Sequence, residues 1–407
     1  MSVPGGRIAS LDALRGVAVL GIAVANVPSF ATVAAARANP LVRGDLKGYN
    51  CWAWLVSYTL FDGRFTAIYG MTFGASLVIL ADRYGRAGQP VSRLHLRRMV
   101  GLLALGLLHA YLIWYGDVLV VLAIAGTLAF RYHGLKPRRL LILGIAVMAL
   151  GSFVALDVAW RMPSWPPGKL ARAEEKWMPP ADTVQREIES YRAGWRGQMT
   201  HRVPTALERQ TTDLVARSLW QMMGLMFIGM ALFKWGILSA ARSPRVYGAL
   251  ATGGFGLGVP MILYGVGENI AAGWTLRHAL VIDGILGYWG GLLVGVGWIG
   301  VTMLVCQRVQ RLDILAAVGR VSLTNYLLES LLFTTIFYGH GLGLFARIDR
   351  AGQLVIALGV AAVVLVNSVI WTRYFALGPA EWAWRSLALG RRVPMRGPAD
   401  LVSARAR

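Results

Sequence analysis

The sequence is poor in acid, in cysteine and in charge of any kind. Aspartate and glutamate number 20 against 41 lysines and arginines, and charged residues make up 15% of the 407. A soluble chain of that length would divide into domains with charged faces between apolar stripes, and such faces are missing here. Cys51 and Cys306 provide neither a disulfide framework nor a metal-ligand cluster, and no CxxC or HExxH motif occurs, so zinc and thiol-redox chemistry find no footing and no metal is expected. A net charge of +21 would suit nucleic acid in a soluble protein, yet no basic stretch interleaves with a nucleic-acid motif. No internal repeat and no low-complexity tract divides the chain.

What the chain has in quantity is apolar sequence: 56% of residues are hydrophobic and the mean hydropathy is +0.54. Apolar runs near the length of a bilayer crossing recur throughout, at 11–31, 65–82, 99–115, 118–130, 140–158, 214–236, 246–267, 279–306, 316–338 and 353–375. They predict an all-α, polytopic transmembrane helical bundle of about ten spans, the short fourth and long eighth runs being accommodated by tilt. Residues 1–407 then form one membrane-embedded domain, with 159–213 as an outer loop or cap and 376–407 as a basic cytoplasmic tail. Residues 49–61 read as an interfacial aromatic segment leading into the second span. Gly287, Gly291 and Gly295 lie four apart on one face of the eighth, a small face that lets helices pack closely.

Lysine and arginine near span ends are retained on the cytoplasmic side. Arg83, Arg86, Arg93, Arg97 and Arg98 crowd one connection, Arg131, Lys136, Arg138 and Arg139 another, and Arg7, Arg311, Arg385, Arg391, Arg392, Arg396, Arg405 and Arg407 add to the same side, whereas Arg37, Arg43, Lys47, Arg277, Arg347 and Arg350 are spread over the opposite one. Both termini are therefore placed inside. Arg7 followed by an apolar stretch ending at Ala34–Ala36 also fits a secretory leader. Against that, Asp12 and Arg15 stand at i, i+3 within the stretch, a pairing that a discarded peptide does not need. The 159–213 segment carries nine basic and seven acidic residues. Val184, Ile188, Tyr191 and Trp195 recur in it at helical spacing, predicting a surface-lying amphipathic helix that either caps an outer cavity or rests on lipid headgroups.

An ionisable group inside a span costs a few kcal/mol and needs a partner or a water-filled cavity. Asn26, Asp62, Arg64, His109, Asp117, Glu268, Asn269 and Asp283 all fall toward the outer side of the expected topology. His109 is the one histidine inside an apolar run; its imidazole either exchanges a proton or is a packing hydrogen bond. Asp117 lies eight residues on, about 12 Å along a continuous helix, so a direct pair requires the chain to turn at Gly116, with Asp62 or Asp283 as other orienting carboxylates. Arg15 either pairs with Asp12 or snorkels, and Asp62 and Arg64 either pair across Gly63 or line a cavity there. Asn325 and Glu329, at i, i+4, are interhelical glue or substrate contacts. The arginines from Arg83 to Arg98, Arg97 among them, are positive flanking or a phosphate site.

Three stretches carry a resemblance. Arg7 to Asn26, with Leu11-Asp-Ala-Leu-Arg-Gly16; His109 to Asp117, continuing Val118-Leu119; and Gly319 to Ser330, followed by Gly378-Pro-Ala-Glu-Trp-Ala-Trp-Arg385, together resemble the YeiB family of bacterial inner-membrane proteins over nearly the whole chain. Many members carry Gln where this chain has Glu329 and Gly-Lys-Phe where it has Gly63-Arg64-Phe65. That family is similar to heparan-alpha-glucosaminide N-acetyltransferase, which shares the Leu-Asp-x-x-Arg-Gly opening and the later Asn. The resemblance implies an acyltransferase of the bacterial inner membrane that moves an acyl group from cytosolic acyl-CoA, acetyl-CoA in the simplest case, to a glycan, glycolipid or small-molecule acceptor outside. On that hypothesis His109 is the base, Asn26 binds the thioester carbonyl, Asp117 or Asp62 orients the base, Arg15, Arg83, Arg97 and Arg98 face the donor, and Arg64, Asp283, Asn325 and Glu329 face the acceptor. A membrane exporter of a small metabolite is the competing reading. The bilayer and a second copy of the chain are the candidate partners. In the lysosomal enzyme the catalytic histidine follows the first span, where residues 31–50 here hold none. Either His109 serves from another helix or this branch has lost the chemistry.

The charge asymmetry sets a test of orientation. In intact cells, Ser190→Cys is expected to react with an impermeant thiol reagent and Ser403→Cys to be protected; the reverse pattern would invert every inside and outside assignment.

Overall fold

The computed structural model describes residues 8–86, 88, 90–309 and 313–396. Arg7, Arg311, Ser403, Arg405 and Arg407 lie outside the described residues. Helices account for all regular structure among those described: α1 (Ala9–Ala31), α2 (Ala35–Ala38), α3 (Tyr49–Leu60), α4 (Arg64–Arg86), α5 (Val91–Leu112), α6 (Leu119–Phe130) and α7 (Pro137–Arg161) come first. A segment of α8 (Pro167–Trp177), α9 (Ala181–Arg192) and α10 (Met199–Gln210) follows. Then come α11 (Leu219–Lys234), α12 (Pro244–Ala271), α13 (Leu276–Ile282), α14 (Tyr288–Arg308), α15 (Asp313–Arg320), α16 (Ser322–Phe337), α17 (Arg350–Tyr374) and α18 (Pro379–Leu389).

Every one of the ten apolar runs falls on helix, and seven helical stretches are long and apolar enough to cross a membrane. The others depart for visible reasons. α6 is short, α5 opens on Arg93, Arg97 and Arg98, and the 316–338 run breaks at Val321 between α15 and α16. Boundaries follow backbone chemistry: Pro137, Pro244 and Pro379 start α7, α12 and α18, where a missing N–H costs nothing, and the Asp349 carboxylate caps α17 by accepting from Gly352 N at 2.9 Å.

α1 is the central helix, with 72% of its apolar window buried against 22% for α7 and α17, which lie on the outside of the bundle. It packs on α4, α15, α16 and α17, while α11 packs on α4 and α7, and α12 on α14. Because lipid tails are as apolar as leucine, such contacts form by close fit, and glycine supplies it. On α12 a Cβ at Gly254 would meet the backbone of Gly297 and Leu293 on α14, whereas one at its neighbour Gly253 would meet nothing.

The 159–213 segment holds three helices where the periodicity predicts one. It is docked on the bundle. Tyr191 is buried and stacks on Phe345 at 4.4 Å, Arg192 donates to the Phe345 carbonyl, the Glu187 carboxylate accepts from Ala34 N at 2.9 Å, and Trp177 Nε1 donates to the Trp274 carbonyl. Burial pushes the Glu187 carboxyl up and the His340 imidazole down. At the opposite end α18 is clamped to the bundle. The buried Glu381 carboxylate accepts from Leu323 N (2.7 Å), Thr324 N (3.3 Å) and Thr324 Oγ1 (2.6 Å), capping α16, and Trp384 Nε1 donates to the Arg98 carbonyl.

Two outcomes follow. Gly254→Leu should lower the melting temperature of the detergent-solubilised protein sharply while Gly253→Leu leaves it nearly unchanged. Glu381→Ala should cost about 1–3 kcal/mol in a denaturation assay, because it orphans buried donors.

Candidate functional site

α5 ends one turn beyond His109, and residues 113–118 turn the chain back into α6. That turn makes the pair that sequence distance alone forbids: His109 Nδ1 lies 2.8 Å from Asp117 Oδ1, and each side chain is 1% exposed. The second carboxylate oxygen accepts from Val120 N at 2.7 Å, so one aspartate both orients the imidazole and caps α6. His109 Nε2 has no hydrogen-bond partner among the described residues. Tyr326 of α16 (5.1 Å between ring centroids) and the edge of Trp114 (6.3 Å) cover it. The Tyr326 hydroxyl accepts from Val118 N, which fixes α16 to the same turn. One turn further along α16 is Glu329, 3% exposed, whose Oε1 has no partner. The segment over this end closes the site: Trp195 Nε1 and Arg202 Nη1 both donate to the Leu112 carbonyl at the end of α5, at 3.0 and 2.6 Å.

Beside this pair lies a cluster of arginines, carboxylates and tyrosines. Arg37 Nη2 pairs with Asp62 Oδ1 at 3.0 Å and its Nη1 donates to Ser29 Oγ. The chain breaks between α3 and α4 at Gly63 (φ +76°), and Arg64 turns onto the carbonyls the break frees, those of Thr59 and Asp62. Asp62 and Arg64 therefore do not pair through their side chains. The Tyr58 hydroxyl donates to Asp283 Oδ1 at 2.8 Å, Arg64 lies 5.7 Å from the Tyr58 ring, Arg217 5.6 Å from Tyr288 and Arg209 5.1 Å from Tyr115. Residues 114 and 115 are the wall between the two sites: Trp114 faces His109, and Tyr115 sits under Arg209 and bonds to the Ser29 carbonyl. Gly287 and Gly291 open this face for side chains rather than for a helix, since a Cβ there would meet Asp283 Oδ1 and Arg64 Nη1 at 3.2 and 3.4 Å.

The uncharacterized protein YeiB of Escherichia coli (strain K12) is 30% identical over 386 residues, covering 94% of this chain and 96% of the relative. The chain belongs to the YeiB family. The uncharacterized protein YxaH of Bacillus subtilis (strain 168) is 26% identical over 393 residues, covering 93% and 94% of the two chains. A family model described as a protein of unknown function, DUF418, matches residues 232–391. No solved structure matches significantly.

In this YeiB family member the remaining predicted residues are spread out. Asn26 is half-buried on α1 and has no hydrogen-bond partner among the described residues. Asn325 ties helices together, donating to the Val318 carbonyl and to Ser368 Oγ (2.8 Å), so it and Glu329 have different roles despite their spacing. Arg15 pairs with Asp12 at 3.0 Å and also bonds to Ser76. Of the five arginines between α4 and α5, Arg83, Arg86, Arg93 and Arg97 are exposed, while Arg98 turns inward, 4.3 Å from the Trp384 ring and within electrostatic reach of Arg15. Tyr58, Tyr115, Arg209 and Tyr326 were not singled out by sequence, because a tyrosine or arginine near a span end reads as an ordinary interfacial anchor.

The double duty of Asp117 can be separated. Asp117→Asn keeps an oxygen for Val120 N and loses only the acceptor for His109, so it should melt above Asp117→Ala, which loses both bonds at about 1–3 kcal/mol each.

Proposed function

We propose that this YeiB family member is an acyltransferase of the bacterial inner membrane, with both termini cytoplasmic and the α8–α10 end outside, which moves an acyl group from cytosolic acyl-CoA to an outer acceptor. The observation that carries the reading is the buried His109–Asp117 pair with Nε2 unpartnered, the arrangement of an oriented general base. His109 Nε2 takes the proton of the acceptor hydroxyl or amine. The acceptor oxygen or nitrogen bonds to the acyl carbon as the carbon–sulfur bond breaks, and the CoA thiolate leaves with the proton that His109 returns. At 1% exposure His109 is sealed, so the reading requires the Trp114 and Tyr326 rings to part when the acceptor enters. At the other end Arg98 and Arg15 support a place for the donor's phosphates.

One observation favours a transporter instead: Glu329, buried without an ion-pair partner a turn from Tyr326, would suit proton-coupled export.

Purified His109→Ala is expected to fold and to lose about 10²-fold or more of acyl transfer from acetyl-CoA; full activity would remove it as the base. Calorimetry with CoA and acetyl-CoA should show binding that Arg98→Ala weakens and Arg97→Ala does not. No binding of either ligand to the unmutated protein would move the conclusion to the transporter.

A further inference from the structure

The arginine cluster beside Trp114 contains more than its internal pairs account for. Arg37 is matched by Asp62, and Asp283 is held by Tyr58. Arg64 is 6% exposed, reaches no carboxylate at ion-pair distance among the described residues, and keeps a buried Nη2 with no partner at all. Arg217 is likewise without a carboxylate partner, lying over a Tyr288 ring that is itself 4% exposed. Asp283 lies within electrostatic reach of Arg64 and Arg217, and Asp62 of Arg64, without an ion pair between them, and Asp213, within reach of Arg209 and Arg217, lies exposed at the rim.

The backbone around these arginines is irregular in three places at once. The α3–α4 helix breaks at Gly63, and single turns of π-helix occupy Leu214–Ser218, carrying Arg217, and Asp283–Gly287, carrying Asp283. Such turns cost hydrogen-bond geometry and recur at functional sites because they redirect side chains. Both pack against α7, and Asp283 lies within electrostatic reach of Arg217 and of Arg64. A crevice reaches Arg37, Tyr58 and Asp62 from between α1, α3 and α17. Trp54 stacks on Tyr58 at 5.1 Å, adding an aromatic face. Asp62 and Asp283 each have Oδ1 engaged, which leaves Oδ2 to accept from a hydroxyl.

We infer that this cluster binds an oxyanion, a phosphate or carboxylate carried on a hydroxylated molecule, with Arg64 and Arg217 holding the anion and Asp62 and Asp283 its hydroxyls. Guanidinium forks suit planar and tetrahedral oxyanions, and a sheltered arginine with a free donor gains more from an anion than an exposed lysine does. The inference rests on the acyltransferase reading only in making this ligand the acceptor.

Binding is measured without acyl-CoA, so failure of transfer and failure of this site are separate results. Calorimetry on the full chain in zwitterionic nanodiscs uses glucose 6-phosphate, inorganic phosphate and glucose as probes, and a thermal-shift arm compares nanodiscs with and without phosphatidylglycerol. Glucose 6-phosphate is expected to bind more tightly than glucose. Arg217→Gln and Arg64→Gln should each weaken it about tenfold or more, and Arg97→Gln at the far end should leave it unchanged. If stabilisation comes from phosphatidylglycerol instead and both variants remove it, the oxyanion is a lipid headgroup and the site stands. Arg217 is exposed, so its variant carries the test if Arg64→Gln does not fold. No response to any anion in either arm, or an Arg217→Gln protein that binds as the unmutated one does, would overturn the inference.

Discussion

A polar group cut off from water costs several kcal/mol unless something bonds to it, and the arrangement of this bundle follows from that penalty. At several points where the chain leaves helix, a side chain takes over the freed backbone group. Arg64 accepts the duty for the carbonyls of Thr59 and Asp62 at the α3–α4 break. Asp117 does so for Val120 N at the α5–α6 turn, and Glu381 for the first amides of α16. Trp195 and Arg202 reach from the α8–α10 segment to the last carbonyl of α5. Charged residues in the apolar bundle are thus part of its backbone chemistry before they are part of any reaction.

The same penalty makes the few unsatisfied atoms informative. His109 Nε2, Glu329 Oε1 and Arg64 Nη2 are buried and have no hydrogen-bond partner among the described residues. His109 and Glu329 lie on either side of Tyr326 along the bundle, and Arg64 belongs to the cluster whose Arg37 shares Ser29 with Tyr115. An imidazole oriented by a carboxylate in one place and arginines without an ion pair among the described residues in the other underlie the proposed division of labour between proton transfer and anion binding.

Close packing gives the region its rigidity. Glycine lets α12 approach α14 along the backbone, and on the adjoining face of α14 it makes room for Arg64 and the Asp283–Tyr58 bond. The stripe at Gly287 and Gly291 therefore makes room for side chains, apart from the glycines that meet α12. Its regular spacing reads only as a packing face, since spacing records where side chains are small and not what lies opposite them.

The membrane character, the helical class and every apolar run were legible in the residues alone, because hydropathy over a span-length window is a local sum that no partner changes. The family was legible too, in Leu11 to Gly16, His109 to Asp117 and Gly319 to Ser330. Contacts made through turns were not. Spacing puts His109 and Asp117 about 12 Å apart on a helix, and only the chain reversal at 113–118 brings them to 2.8 Å. Asp62 and Arg64 read as neighbours yet take different partners, Arg37 coming from 25 residues away. Val184, Ile188 and Tyr191 announced an amphipathic helix, but which surface received it depended on Phe345 and Ala34, far along the chain in both directions. A residue's type and period are properties of the sequence, whereas the partner of a buried polar group is chosen by whichever distant atom the packed helices bring within bonding distance.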